Sequence, residues 1–181
     1  MAVAALRSAG YSGKSLPEKL GFKAGMNAAF IALPAELGSL AECVLFAKVV
    51  QADSWDTKFS AKTFDAIHAF TTSRAELAAN LIKLQKALKP DGMIWVSWRK
   101  KAAKVPTEVT EDVVRGEALA LDLVDVKVAA IDAVWSGLKL VIRAMGIVHC
   151  WPTLSRWIAK GAFPPGRYLG PNTRVWTVEE G

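Results

Sequence analysis

The chain has few of the residues that build metal centres and nucleophilic sites. Its 181 residues hold two cysteines, Cys43 and Cys150, and two histidines, His68 and His149. The cysteines form no C-x-x-C pair and the histidines have no ligand-like spacing to them, so neither a metal centre nor a disulfide framework is expected. No Ser/His/Asp or Cys/His constellation can be assembled from two separated histidines, and no catalytic residue is predicted. No stretch reaches the roughly 18 apolar residues of a membrane helix, and Met1 to Gly10 lacks the apolar core of a secretion signal. A cytoplasmic protein with reduced thiols and no membrane partner is expected. Glycine is also missing where it matters most. After an apolar run from Met26 to Leu33, of the kind buried on both faces of a parallel sheet, the chain reads Leu33-Pro34-Ala35-Glu36-Leu37-Gly38. A nucleotide-type α/β protein would place a glycine loop there, so that backbone can approach the ligand. One glycine cannot do that work, and no cofactor is therefore expected.

What the chain does have is apolar content and a modest positive charge. Hydrophobic residues make up 52% and charged residues 22%, enough to bury a core, and the length suits one main domain. The net charge of +6 favours an acidic ligand or nucleic acid without selecting either.

Ser15-Leu16-Pro17-Glu18 fits a capping box opening a short helix that ends at Gly21. The overlapping Gly13-Lys14-Ser15 is not a phosphate loop, since Ser8 stands where the first glycine belongs and no buried strand precedes it. Val44 to Val50 reads as a second strand, and Gln51 to Thr63 as a polar loop containing Trp55. Phe64 to Phe70 is a third strand. Ser73-Arg74-Ala75-Glu76 then caps a helix whose Leu77, Leu81, Leu84 and Leu88 share one face. Lys89-Pro90-Asp91-Gly92 ends it as a turn, with positive φ at glycine, before a buried strand from Met93 to Trp98. Thr110 caps a further helix, with Val113, Leu119 and Leu121 as its apolar side. Two last strands, Val124 to Ile131 and Leu138 to Arg143, are read as joined around Trp135-Ser136-Gly137. The order implies a three-layer α/β, Rossmann-like fold with an antiparallel C-terminal hairpin at its edge.

The most prominent basic run, Arg99-Lys100-Lys101 with Lys104, follows a predicted parallel strand and precedes the helix capped by Thr110. The carboxyl edge of an open α/β sheet is where ligands bind, so Arg99, Lys100, Lys101, Lys104 and Thr110 are the candidate site for an anionic small molecule. A solvated charged loop is the competing reading. Arg115 and Lys139 join this patch only if the fold brings them near. His68, inside an apolar strand, is read as a core histidine, and Asp65 as either a ligand-edge group or a turn cap.

Several motifs carry a family resemblance. Ala9-Gly10-Tyr11-Ser12-Gly13, Thr72 to Leu77, Leu88-Lys89-Pro90-Asp91-Gly92 with Trp95 to Trp98, Glu111 to Arg115, and Leu123 to Lys127 through Trp135 to Lys139 together resemble the bacterial "domain of unknown function 3052" family over residues 1–143. That resemblance implies no reaction. The block from Phe64 to Trp98 is also similar to the fourth strand, following helix and fifth strand of class I methyltransferases, with Asp91 at the first glycine of their Leu-Lys-Pro-Gly-Gly-like turn. It implies their fold. A third resemblance, over residues 152–178, is to the recognition helix and wing of excisionase or AlpA-type regulators. It implies DNA contact by Thr153, Ser155, Arg156 and Lys160 from the helix and by Arg167 and Arg174 from the wing. A tail spanning 144–181 is accordingly expected to be a partial winged helix-turn-helix.

Three functions follow as expectations. The first is a non-catalytic α/β binding or regulatory module with an anion-preferring edge. The second is an S-adenosylmethionine-dependent methyltransferase with an atypical cofactor loop, and the third is DNA binding through the tail.

Overall fold

The computed structural model describes residues 13–143 with their side chains, and the backbone of Arg167–Gly170 and Thr173–Val175. The chain divides into two compact units, Met1–Ile142 and Arg143–Gly181.

In the first unit the strands are β1 (Asn27–Ile31), β2 (Lys48–Ala52), β3 (Phe64–Phe70), β4 (Leu88–Arg99), β5 (Leu123–Ala130) and β6 (Trp135–Ile142), with helices α1 (Leu16–Leu20), α2 (Arg74–Ala87) and α3 (Glu111–Leu119). They form one sheet in the order β2-β1-β3-β4-β6-β5. The first four strands pair in parallel, and β6 runs antiparallel to both β4 and β5. The reversed strand thus lies one place in from the edge, because the α3 connection carries the chain past that position before β6 returns to fill it. Strand alternation sends side chains to two cores. Ala29, Ile31, Ile67, Ala69, Ile94 and Val96 face the α2 and α3 layer. Ala28, Phe30, Ala66, Phe70, Met93 and Trp95 face α1 and a 3-10 helix over Ala35–Glu42. This is the expected three-layer α/β arrangement.

Local chemistry sets the element ends. Glu18 reaches back to the Ser15 backbone N–H at 2.9 Å, and Gly21 closes α1 at φ 78°. The Trp95 indole then holds this short helix by donating to the Leu20 carbonyl at 2.9 Å. Ser73 accepts from the Glu76 N–H at the start of α2, and Leu77, Leu81 and Leu84 are buried as their spacing predicts.

Several expectations are corrected. β2 starts at Lys48 rather than Val44, and Leu45 is left exposed. Trp55 is wholly buried despite its polar surroundings, its indole donating to the Phe70 carbonyl at 2.7 Å. Lys89-Pro90-Asp91-Gly92 lies within β4, where the register against β3 jumps from Phe64↔Leu88 to Ala66↔Met93. Gly92 has no positive φ; a Cβ there would lie 2.6 Å from Leu88 Cδ1, so close packing is what requires glycine. Trp135-Ser136-Gly137 likewise belongs to β6. The turn is made by Asp132, whose Oδ1 accepts from the Val134 and Trp135 N–H groups. On α3 the buried residues are Val114 and Ala118, while Leu119 is exposed.

In the second unit, β7 (Arg167–Gly170) and β8 (Thr173–Val175) form an antiparallel pair, with Arg167 opposite Val175 and Tyr168 opposite Arg174.

Candidate functional site

The chain leaves β1 toward β2 on one side and β3 on the other, so the topological switch point lies at the carboxyl end of β1. Open α/β sheets hold ligands in the crevice this creates. Here the chain turns sharply at Ala32, which adopts φ 52° and donates its N–H to the Ala52 carbonyl at 2.7 Å. An L-residue in the left-handed region costs about 1–2 kcal/mol, and such strain gathers where a site must be shaped. Alanine tolerates it with the smallest side chain after glycine. Gly38, the lone glycine of this stretch, sits exposed in the 3-10 helix with nothing within 4 Å of an added Cβ. The conformational role expected of glycine therefore falls on Ala32.

On the neighbouring strand, Ile31 is in register with Ala52, which places Asp53 beside Ala32 at the same edge. Asp53 is exposed, and no hydrogen bond or ion pair engages it among the described residues. A carboxylate about 20 residues beyond the first βα turn is the group that accepts from ribose hydroxyls in dinucleotide-binding sheets. Sequence reading missed it; the signal was an aspartate ending the next apolar run, at the spacing such sheets use.

Further along the edge, polar groups are mostly engaged. Thr71 donates to Glu76 at 2.6 Å, and the Glu108 N–H donates to the Thr72 carbonyl, drawing the loop after β4 onto the end of β3. Of the basic run, Lys100 donates to the Asp132 carbonyl at 2.6 Å, fastening β4 to the β5–β6 turn. Thr110 Oγ1 accepts from the Val113 N–H as the α3 cap. Lys101 and Lys104 are exposed. Arg99 is half-buried, its guanidinium carbon 5.3 Å from the centroid of the Trp135 ring. Of the five residues, Lys100 and Thr110 are thus engaged in structural contacts, and Arg99 and Lys100 both meet the 132–135 segment.

Arg115 and Lys139 lie elsewhere. Arg115 binds Asp125 at 2.9 Å, Asp112 at 3.3 Å and Glu111. Lys139 faces Gly21 in mid-strand, and burial, with Lys127 and Lys23 nearby, lowers its pKa. Asp65 is at the amino end of β3, where it accepts from the Asn27 N–H at 2.8 Å and pairs with Lys89 at 3.2 Å. It is a structural group far from the ligand edge. His68 is 1% exposed, stacked on Phe70 at 4.3 Å and hydrogen-bonded through Nε2 to Ser97 at 2.8 Å. Burial lowers its pKa to about 3, which keeps it neutral, as expected of a core histidine. Cys43 is half-buried and its thiol is pushed up to about 11 by burial, so it is a poor nucleophile. A shallow depression of about 660 Å³ beside Arg74, Glu108 and Glu117 lies on the α2–α3 flank, outside the switch-point crevice.

Thr153, Ser155, Arg156 and Lys160 lie outside the described residues. Arg167 and Arg174 fall on β7 and β8, where the backbone alone is described.

Solved structures share this sheet. A SAM-dependent methyltransferase of Aquifex aeolicus matches at 16% identity with a TM-score of 0.55, covering 69% of this chain and 86% of its own. A TehB-like SAM-dependent methyltransferase of Corynebacterium glutamicum matches at 14% identity and TM-score 0.50, covering 70% and 85%. A "possible exported protein" of Bordetella parapertussis matches at 9% identity and TM-score 0.51, covering 71% and 66%. No family model and no curated protein matches the chain. The chain has the methyltransferase-like Rossmann fold. Among the described residues no helix is long and apolar enough to cross a membrane.

These neighbours correct the expectation that no cofactor is used. That expectation rested on the missing glycine loop, whereas two of the neighbours are SAM-dependent enzymes on the same sheet and Ala32 makes the left-handed turn without a glycine.

Proposed function

We propose that the chain binds S-adenosylmethionine at the switch point between β1 and β3 and acts as a methyltransferase with an atypical cofactor loop. The observation that carries this reading is the pairing of the left-handed turn at Ala32 with the unengaged carboxylate of Asp53 on the adjacent strand end. The residues present fit the group. Asp53 would accept from the ribose hydroxyls, and the Ala32-Leu33-Pro34 turn would present backbone to the amino-acid part. When bound, the cofactor supplies an activated methyl group. The chain's own contribution is to position and to exclude water. Trp55 fills the space beneath the end of β3, and the Thr72–Glu108 backbone bond closes the edge on the β4 side. Against the reading of a non-catalytic module, the idle carboxylate stands where a ligand, and no part of the fold, would use it.

Calorimetry of the full chain with S-adenosylmethionine tests this. Micromolar binding that weakens about tenfold or more in Asp53→Ala is expected, the loss of a charge-assisted hydrogen bond pair. Absence of binding, or equal binding by the variant, would count against it.

A second reading, DNA contact by the tail, is favoured by the β7–β8 pair, which sets Arg167 and Arg174 on one short hairpin. It predicts affinity for duplex DNA that falls steeply with salt and disappears on truncation after Arg143. Equal gel shifts by the full and truncated chains would remove it.

A further inference from the structure

We propose that Arg99 and Trp135 form a recognition corner for an oxyanion, the carboxylate or phosphate of a small molecule bound on the same edge as the methyl donor. The identity of that molecule as the methyl acceptor rests on the reading above; the anion site does not.

Arg99 ends β4 and Trp135 begins β6, and the two are register partners. Both project to the α1 face, where the Trp135 ring meets Phe70 edge-to-face at 5.2 Å and lies 5.3 Å from the guanidinium carbon. Trp135 is 4% exposed. Arg99 Nε and Trp135 Nε1 are both buried donors with no hydrogen-bond partner among the described residues. Buried donors are nearly always satisfied, and an orphaned one calls for an explanation. The two wholly buried indoles among the described residues, those of Trp55 and Trp95, each donate to a backbone carbonyl. Two orphans at one contact point to a shared missing acceptor.

The charge narrows what that acceptor is. Among the described residues no carboxylate pairs with the Arg99 guanidinium, whereas Arg115 has three acidic partners and Arg74 one. A water would satisfy the donors and leave the cation uncompensated; an oxyanion does both. Arg99 as a residue is half-buried, so the corner is reached from its side. Position also fits. β4 lies two strands from β1, about 10 Å at the usual strand spacing, so a small acid held by Arg99 reaches toward the edge above β3 where a methyl group from the switch point would arrive.

The test uses the full chain and its seven tryptophan indole N–H signals. Inorganic phosphate and sodium benzoate are titrated at constant ionic strength with chloride as control, and the Trp135 signal is identified by its loss in Trp135→Phe, which keeps an aromatic ring. A saturable shift of that signal with phosphate or benzoate is expected, its apparent affinity about tenfold weaker in Arg99→Gln and partly restored in Arg99→Lys. The stronger of the two anions names the group. Unmoved Trp135 signal with both anions, or an unchanged titration in Arg99→Gln, would overturn the proposal. Calorimetry with S-adenosylmethionine on Arg99→Gln separates the two readings. Cofactor binding without the anion response removes this corner alone, and the anion response without cofactor binding leaves the corner and removes the methyl donor.

Discussion

Two aspartates, one at each end of the parallel strands, are treated in opposite ways. At the amino end, Asp65 accepts from the Asn27 N–H and pairs with Lys89, tying β1, β3 and β4 together. At the carboxyl end, Asp53 stands exposed and unengaged beside a strained turn, and three strands away the half-buried Arg99 has no carboxylate partner among the described residues. Polar groups at the first end hold the sheet. At the second end Thr71, Lys100 and Thr110 are engaged in the same way, while Asp53 and Arg99 are not, and the proposed ligand sites rest on those two. The same division separates the basic residues at the end of β4: Lys100 fastens a turn, while Arg99 has an aromatic face and, among the described residues, no counter-charge.

The comparison yields predictions graded by size. The largest concerns the buried layer between the two ends. His68 has a folded pKa near 3 against an ordinary 6.5. Between these values the unfolded chain binds a proton that the folded chain excludes, so stability is intact above about pH 6.5 and falls as pH drops toward 3. The slope is up to about 1.4 kcal/mol per pH unit from this group. Denaturant midpoints measured from pH 7 to pH 4 should fall less steeply in His68→Gln than in the unsubstituted chain. Next is Gly92→Ala, which drives a Cβ into Leu88 at 2.6 Å and is expected to cost about 1–3 kcal/mol. Thermal unfolding checks this, and a neutral result would mean that β4 shifts freely at its register jump. Smaller is Asp65→Ala, at about 1–2 kcal/mol of stability for two charge-assisted bonds on a partly exposed group, with the carboxyl edge untouched.

How far the sequence was legible depended on whether a residue's role was local. The capped helix from Ser73 and the strand from Phe64 were readable because caps and apolar periodicity act over a few residues. Gly92 and Gly137 were misread as turn glycines. Their need for glycine comes from Leu88 in one case and from Ser97 and Trp95 across the sheet in the other, contacts that no window of sequence displays. Asp53 was not legible because its meaning comes from lying beside Ala32 on the neighbouring strand, a pairing that no local motif displays. The basic run was visible, but not that Lys100 and Thr110 are spent on structure while Arg99 alone meets Trp135.

The most direct test of the division is S-adenosylmethionine calorimetry on Asp53→Ala and Asp65→Ala side by side. The account predicts that Asp53→Ala loses about tenfold or more in affinity at unchanged melting temperature, while Asp65→Ala melts earlier and, below its melting range, binds as the unsubstituted chain does. Equal affinity in Asp53→Ala and the unsubstituted chain, or no binding by either, would contradict it.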